Sequence, residues 1–183
     1  MKKPHIFSGE HCKMKIQILD RAKKKKFIAG LEDLGMKKIT QILVKSGKER
    51  VRAFSGDLNK DDIYDIWRLL PIEGVGLYVG KDMVNRNGVR EVRLSLDGMH
   101  VWKNQLTEKI FVLTEEQEEL WFAGENIELN GEQKKKFESV KGFVSVRSSD
   151  NKDFVGTGKI GNDGGMLFGF LPKERRRKSS VIN

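Results

Sequence analysis

A chain of 183 residues that is 38% hydrophobic and 33% charged has the composition of a globular protein of one domain or two small ones. No apolar run approaches the ~20 residues of a membrane helix, and Lys2 and Lys3 do not lead into an apolar signal segment. One cysteine excludes a disulfide framework within the chain and suits a reducing compartment, so a cytoplasmic (or nuclear) protein with no membrane partner is expected. The net charge of +9 is polarised. Residues 1–38 hold eleven Lys/Arg against four Asp/Glu, residues 39–140 fifteen against eighteen, and residues 141–183 nine against four. Two basic ends around a slightly acidic middle favour a polyanionic partner over an evenly solvated surface, because cations that neutralise phosphates release counterions.

In chain order, residues 1–12 have weak pattern and read as a loose arm. Asp20 is the N-cap of a helix in which Ala22, Phe27, Ile28, Leu31 and Leu34 recur at helical spacing, with Gly35 as its stop. Lys23, Lys24, Lys25 and Lys26 lie inside it. Four consecutive lysines cover a whole turn, so the inward ones must snorkel or sit at the helix edge. The outward ones form a basic face, which is either solvated surface or a secondary contact for RNA or a protein partner. Ile39–Val44 and Arg50–Phe54 read as strands joined by Ser46-Gly47-Lys48, with Val51 and Ala53 on one face. Asn59 caps a helix marked by Ile63, Ile66, Trp67 and Leu70 and ended by Pro71. Val75–Val79 is a short apolar strand and Asn85-Arg86-Asn87-Gly88 a hairpin turn. Val89–Leu96 alternates, with Val92, Leu94 and Leu96 on one face, until Asp97-Gly98 closes it before a short helix. Residues 1–106 are thus expected to be an N-terminal α/β domain.

The second part, residues 107–183, is richer in short strands. Lys109–Leu113 is a strand. Thr114 with Glu115, Glu116 and Gln117 resembles a capping box ahead of Leu120, Trp121 and Phe122, stopped by Gly124. Ile127 and Leu129 make another extended piece, and Lys134, Lys135 and Lys136 a basic turn. Phe143–Val146 alternates as a half-buried strand does, and Ser148–Asn151 turns. Phe154-Val155 opens a strand that runs into Gly156-Thr157-Gly158. Asn162-Asp163-Gly164-Gly165 is a hairpin signal, and Met166–Leu171 the returning strand. Lys173, Arg175, Arg176, Arg177 and Lys178 follow at once. Short strands with tight turns, ending in a basic cluster, suggest a small β-barrel that holds a polyanion. The whole chain reads as α+β.

The remaining candidates for chemistry are weaker. Gly156–Gly161 matches G-x-G-x-x-G, but a dinucleotide site needs a helix opening there, and a second glycine-rich turn and a strand follow instead; close backbone packing is the better account. Gly74–Lys81 fails as a phosphate loop because Asp82, not Ser or Thr, follows the lysine. His5, His11 and Cys12 lack paired zinc spacings, and Asp61, Asp62 and Asp65 suit the first turns of a helix. No active site, cofactor or metal is expected. Phe143, Phe154, Phe168 and Phe170 either stack on bases or fill a barrel core; core burial is the expectation, with Phe168 and Phe170 on one strand face. Trp102 and Trp121 read as core or interdomain contacts.

KIFVLTEEQEELWFAGENI at 109–127, GFVSVRSSDNKDFVGTGKI at 142–160 and FLPKERRRK at 170–178 resemble a PUA domain. Two kinds of PUA protein are similar. One is the Nip-type ribosome-biogenesis factors, in which an α/β pre-PUA domain precedes PUA. The other is the C-terminal region of RsmF/Fmu/Sun-type RNA 5-methylcytosine methyltransferases, from which this chain departs by having no Rossmann methyltransferase domain and no Pro-Cys motif at Cys12. The resemblance implies a pre-PUA-like domain at 1–106 and a PUA barrel at 107–183. It implies non-catalytic binding of structured RNA, ribosomal or transfer, in ribosome biogenesis or RNA modification, alone or as the RNA-delivering accessory subunit of a separate methyltransferase or pseudouridine synthase. Ribosome-assembly factors or an RNA-modifying enzyme would be the protein partners. The implied RNA contacts are Arg147, Lys152, Lys159, Lys173, Arg175, Arg176, Arg177 and Lys178, with Lys134, Lys135 and Lys136 extending the patch.

Overall fold

The computed structural model describes residues 15–70, 72 and 74–177, and these form a mixed α+β fold around two five-stranded sheets. The first sheet is an antiparallel run of β1 (Ile16–Ile18), β2 (Ile42–Ser46), β3 (Arg50–Phe54), β4 (Leu77–Val84) and β5 (Arg90–Leu94), adjacent in that order. Period-two alternation divides its residues between two faces. Leu43, Val51, Ala53, Val92 and Leu94 face a core completed by Phe27 of α1 (Arg21–Ala29), by Leu31 and Met36, and by Met99 of α3 (Leu96–Val101). On the opposite face Ile16, Ile18 and Val44 pack against Ile63 of α2 (Lys60–Leu69). The polar starts are local chemistry. The Asp20 carboxylate accepts from Lys23 N at 2.8 Å, and Asn59 and Asp62 exchange bonds in a capping box.

Several boundaries differ from expectation for packing reasons. Strand β1 is not anticipated; three residues are too few to show a period. The helix expected to reach Gly35 stops at Ala29, and a separate 3₁₀ turn, Glu32–Leu34, ends on Gly35 at φ 95°. Chain and sheet close up at Gly30, where a Cβ would stand 2.5 Å from Val92 Cγ2. Strand β2 begins at Ile42 rather than Ile39. Strand β4 starts later and runs further than Val75–Val79, because its partners β3 and β5 extend beyond the apolar stretch. Asp97-Gly98 does not close a strand but lies in the first turn of α3, capped by Ser95, whose Oγ accepts from Gly98 N.

The second sheet has the order β6 (Ile110–Val112), β8 (Phe143–Arg147), β9 (Phe154–Ile160), β10 (Met166–Gly169) and β7 (Ile127–Glu128); only the β6–β8 pair is parallel. It curls into a half-barrel around α4 (Glu115–Ala123), which Thr114 caps and Gly124 ends in the left-handed region. Trp121 is the centre of this core. Its indole N–H donates to Val155 O at 3.2 Å, and its ring lies against Gly156 and Gly169. Gly156 has φ 149° and a Cβ there would meet Trp121 Cζ2 at 2.9 Å, so the glycine pair in β9 serves close packing. Lys134–Lys136 are not a turn. They lie in α5 (Gly131–Phe137), started by an Asn130–Gln133 capping box that the lysine run obscures. Strand β8 is buried on both faces, not one, since Ser145 and Val146 are both fully covered.

The two sheets meet along β5 and β9. Thr157 Oγ1 donates to Leu94 O at 2.7 Å, Lys159 pairs with Glu91 at 2.9 Å, and Phe154 belongs to the first core. The connecting chain is pinned as well: the N–H groups of Thr107 and Glu108 both donate to Leu34 O, and Lys109 pairs with Asp33 at 2.7 Å. Among the described residues no helix is long and apolar enough to cross a membrane.

Two carboxylates in the first sheet give its stability an acid limit. Burial raises the pKa of Asp82, whose side chain is 12% exposed, but the two bonds from Arg90 and the Lys45 ammonium outweigh it and hold the carboxyl below its ordinary value. Burial likewise works against Glu91, and Lys159 and Asn85 win, again lowering its pKa. A depressed folded-state pKa stabilises above the unfolded value and loses that contribution as pH falls through the folded one. Melting temperature should therefore drop below about pH 4. Asp82→Asn should cost about 2 kcal/mol at neutral pH, a difference that narrows as the wild type is acidified. Thermal melts across pH check this; parallel curves for the two proteins would show that Asp82 does not carry it.

Candidate nucleic-acid interface

The basic residues singled out by the sequence fall in several places, and many of them hold the fold. After β10, Leu171 is buried and the chain makes a 3₁₀ turn at Lys173–Arg175. Lys173 is exposed, and Arg175 reaches Asp97 of the first half at 3.2 Å. Arg176 crosses Gly124 and donates from Nε to Leu171 O at 3.3 Å. Arg177 lays its guanidinium 4.8 Å over the Phe122 ring while its backbone N–H donates to Phe122 O. Arg176 and Arg177 thus fasten the C-terminal segment to the end of α4. Lys178 lies outside the described residues.

Lys159 is 36% exposed, paired to Glu91, and 5.1 Å from the Phe143 ring. Arg147 stacks 4.6 Å over Phe154 and donates to Asn151 Oδ1, whereas Lys152 is a surface side chain beside Asp150. Of the helical lysines, Lys24 is half-buried and donates to Gln41 O at 2.8 Å, Lys23 pairs with Asp20, and Lys25 and Lys26 are exposed. Their helix belongs to the first half, and its C-terminal end, Ala29 and Gly30, lines a cleft with Lys109 and Lys141. Lys134 and Lys135 line a cleft of about 460 Å³ with the Asn162–Gly165 turn. Lys136 and Arg147 meet with Lys109 in another of about 480 Å³ along β6.

A cluster that sequence reasoning missed lies on the first sheet's face opposite its main core. Register places Arg50 of β3 opposite Lys81 of β4, and Lys81 opposite Arg93 of β5. Adjacent strands are about 4.8 Å apart, so three cations stand in one row. Like charges directly opposite one another destabilise a sheet. Glu49 meets Lys81 at 3.3 Å and Glu91 is taken by Lys159, so the row keeps a positive surplus. Tyr78 shares this face, opposite Arg52 and near Arg93. Burial raises its hydroxyl pKa above the ordinary value, against the pull of Arg93 and Arg50. Nothing in the local sequence marks this row, because its members are brought together only by strand register.

The row continues onto the second sheet. The Arg93 guanidinium sits 4.5 Å over the Phe170 ring, and Phe170 stands edge-on to Phe143 with centroids 5.5 Å apart. Lys159 is the cross-strand neighbour of both Phe143 and Phe168. Phe168 and Phe170 are 42% and 39% exposed, which corrects the expectation that they fill the barrel core. The inner positions of this segment are Leu167, Gly169 and Leu171, and Gly169 leaves its space to Trp121. Parity then sends both phenylalanines outward. The alternation was present in the sequence, but both parities are apolar, so it did not say which set faces in.

Among the described residues no group of three or more His, Cys, Asp or Glu side chains is placed to hold a metal ion, and His5, His11 and Cys12 lie outside them. Comparison with known proteins finds no family model and no curated protein that matches this chain.

Proposed function

We propose that the protein binds structured RNA, without catalysis of its own, over the face that joins its two sheets. The row Arg50–Lys81–Arg93 carries this reading. Three cations side by side work against the sheet they sit on, and phosphate groups relieve that repulsion while releasing counterions. The PUA resemblance supports it, since its stretches at 109–127 and 142–160 form a strand, a helix and paired strands of the curled sheet. In this reading a pre-PUA-like first half supplies the cationic row. The PUA-like second half supplies Lys152, Lys173 and Arg175 at its surface. A ribosomal or transfer RNA is gripped through phosphates, ribose and shape, and the biological setting is ribosome assembly or RNA modification.

Titrating a labelled RNA hairpin with the full chain over a salt series is the direct test. The expected result is a linear fall of log affinity with log salt, losing about a thousandfold between roughly 50 and 200 mM. No binding near ~150 mM salt removes the proposal.

A further inference from the structure

We infer that this face takes an unpaired stretch of RNA, with bases stacked on Phe168 and Phe170 and the adjoining phosphates on Arg93, Lys81 and Arg50. The inference rests on the RNA reading above and adds the class of RNA element that is recognised. Two large apolar side chains at i and i+2, Phe168 in β10 and Phe170 just after its end, are each about two-fifths exposed and lie on the same side of the sheet. Such rings are a platform for bases, because every base has a π-face. A base inside a helix has both faces covered by its neighbours, whereas an unpaired nucleotide can splay out and lie on a protein ring.

Charge decides for RNA over an apolar protein surface. Arg93 lies against Phe170, and Lys159 is the cross-strand neighbour of Phe168. Beyond them run Lys81 and Arg50. The acids nearby are engaged: Glu49 on Lys81, Glu91 on Lys159, and Asp163, which flanks Phe168 at the hairpin turn, accepts from Gly165 N–H. Phe143 abuts Phe170 edge-on from the neighbouring part of the sheet, so that ring is already positioned before a ligand arrives. A platform of rings fringed by cations, with Glu49 and Glu91 paired to lysines, is complementary to a chain that alternates flat bases with anionic linkers.

The experiment uses the full chain and three fluorescein-labelled probes: an RNA hairpin with a short single-stranded tail, the same hairpin blunt-ended, and the tail alone. Wild type is compared with Phe168→Ala/Phe170→Ala and with Phe168→Trp, whose larger ring should still stack. Circular dichroism melts confirm that each variant is folded. The wild type should bind the tailed hairpin at least about tenfold more tightly than the blunt one. The double alanine variant should lose that margin, and Phe168→Trp should keep it. The double alanine variant should lose more affinity for the tailed hairpin than for the blunt one, whose binding it changes only through the freed Arg93 side chain. A 2-aminopurine in the tail should be quenched by wild type and not by the double variant. Equal affinity of wild type for tailed and blunt hairpins overturns the stacking inference while the RNA reading stands. Binding of none of the probes overturns both. Self-association of wild type in sedimentation, abolished in the double variant, assigns the rings to a protein interface and also overturns the inference.

Discussion

Replacing Arg50, Lys81 and Arg93 together by glutamine is expected to lower RNA affinity about a hundredfold at near-physiological salt, at roughly 1 kcal/mol per lost phosphate contact. The slope of log affinity against log salt should become shallower by about 2 to 3, since each neutralised phosphate contributes about 0.9. The same variant should melt within a few degrees of wild type or slightly above it. The row is a line of like charges on adjacent strands, and removing it relieves repulsion. What is lost in exchange is small. The Lys81–Glu49 pair is partly exposed, and surface pairs of this kind contribute about 0–1 kcal/mol. The stacking of Arg93 on Phe170 is a cation–π contact at a half-exposed site, about 0.5–1 kcal/mol. Binding lost with stability kept is the signature of residues retained for a ligand. An affinity and salt slope equal to wild type would instead move the RNA to Lys152, Lys173 and Arg175.

The largest stability effect is expected at Trp121. Trp121→Ala should cost about 3–5 kcal/mol and lower the melting temperature by roughly 10 °C. The side chain is 1% exposed, fills the space that Gly156 and Gly169 leave, and anchors α4 to β9 through its bond to Val155 O. Its removal opens a cavity directly beneath β10, so the variant should also lose the preference for a tailed hairpin, although no residue of the RNA face has changed. Trp121→Phe keeps most of the volume and drops the N–H, and should cost about 1–3 kcal/mol. Gly156→Ala should be destabilising by a comparable amount, because φ 149° and the 2.9 Å approach of Trp121 both reject a Cβ. Denaturant unfolding of the three variants checks the order. Trp121→Ala unfolding at the wild-type midpoint would mean the half-barrel is held elsewhere.

Much of the fold was legible because it is written in contacts three or four residues apart. Asp20, Asn59 and Thr114 start helices, Gly124 ends one, and Asn85–Gly88 and Asn162–Gly165 turn hairpins, each through a bond between near neighbours. The Asn130–Gln133 box was equally local, but the lysine run it initiates hid it. The polarity of charge was also a matter of residue type and position alone.

What the chain order does not contain is which side chain lies beside which across strands. Arg50, Lys81 and Arg93 become neighbours only through the pairing of β3, β4 and β5. Phe170 meets Arg93 only because the two sheets pack together along β5 and β9. Packing likewise gives the basic residues different roles. Lys24, Arg176 and Arg177 hold carbonyls or rings of the fold, while Lys152 and Lys173 stay at the surface. Phe154, at the head of a strand of the second sheet, is buried in the core of the first. Local torsional preferences and capping bonds act within a turn of chain and so survive in the sequence. Register and burial are set by free energies summed over many distant contacts, and they exist only once the two sheets have packed.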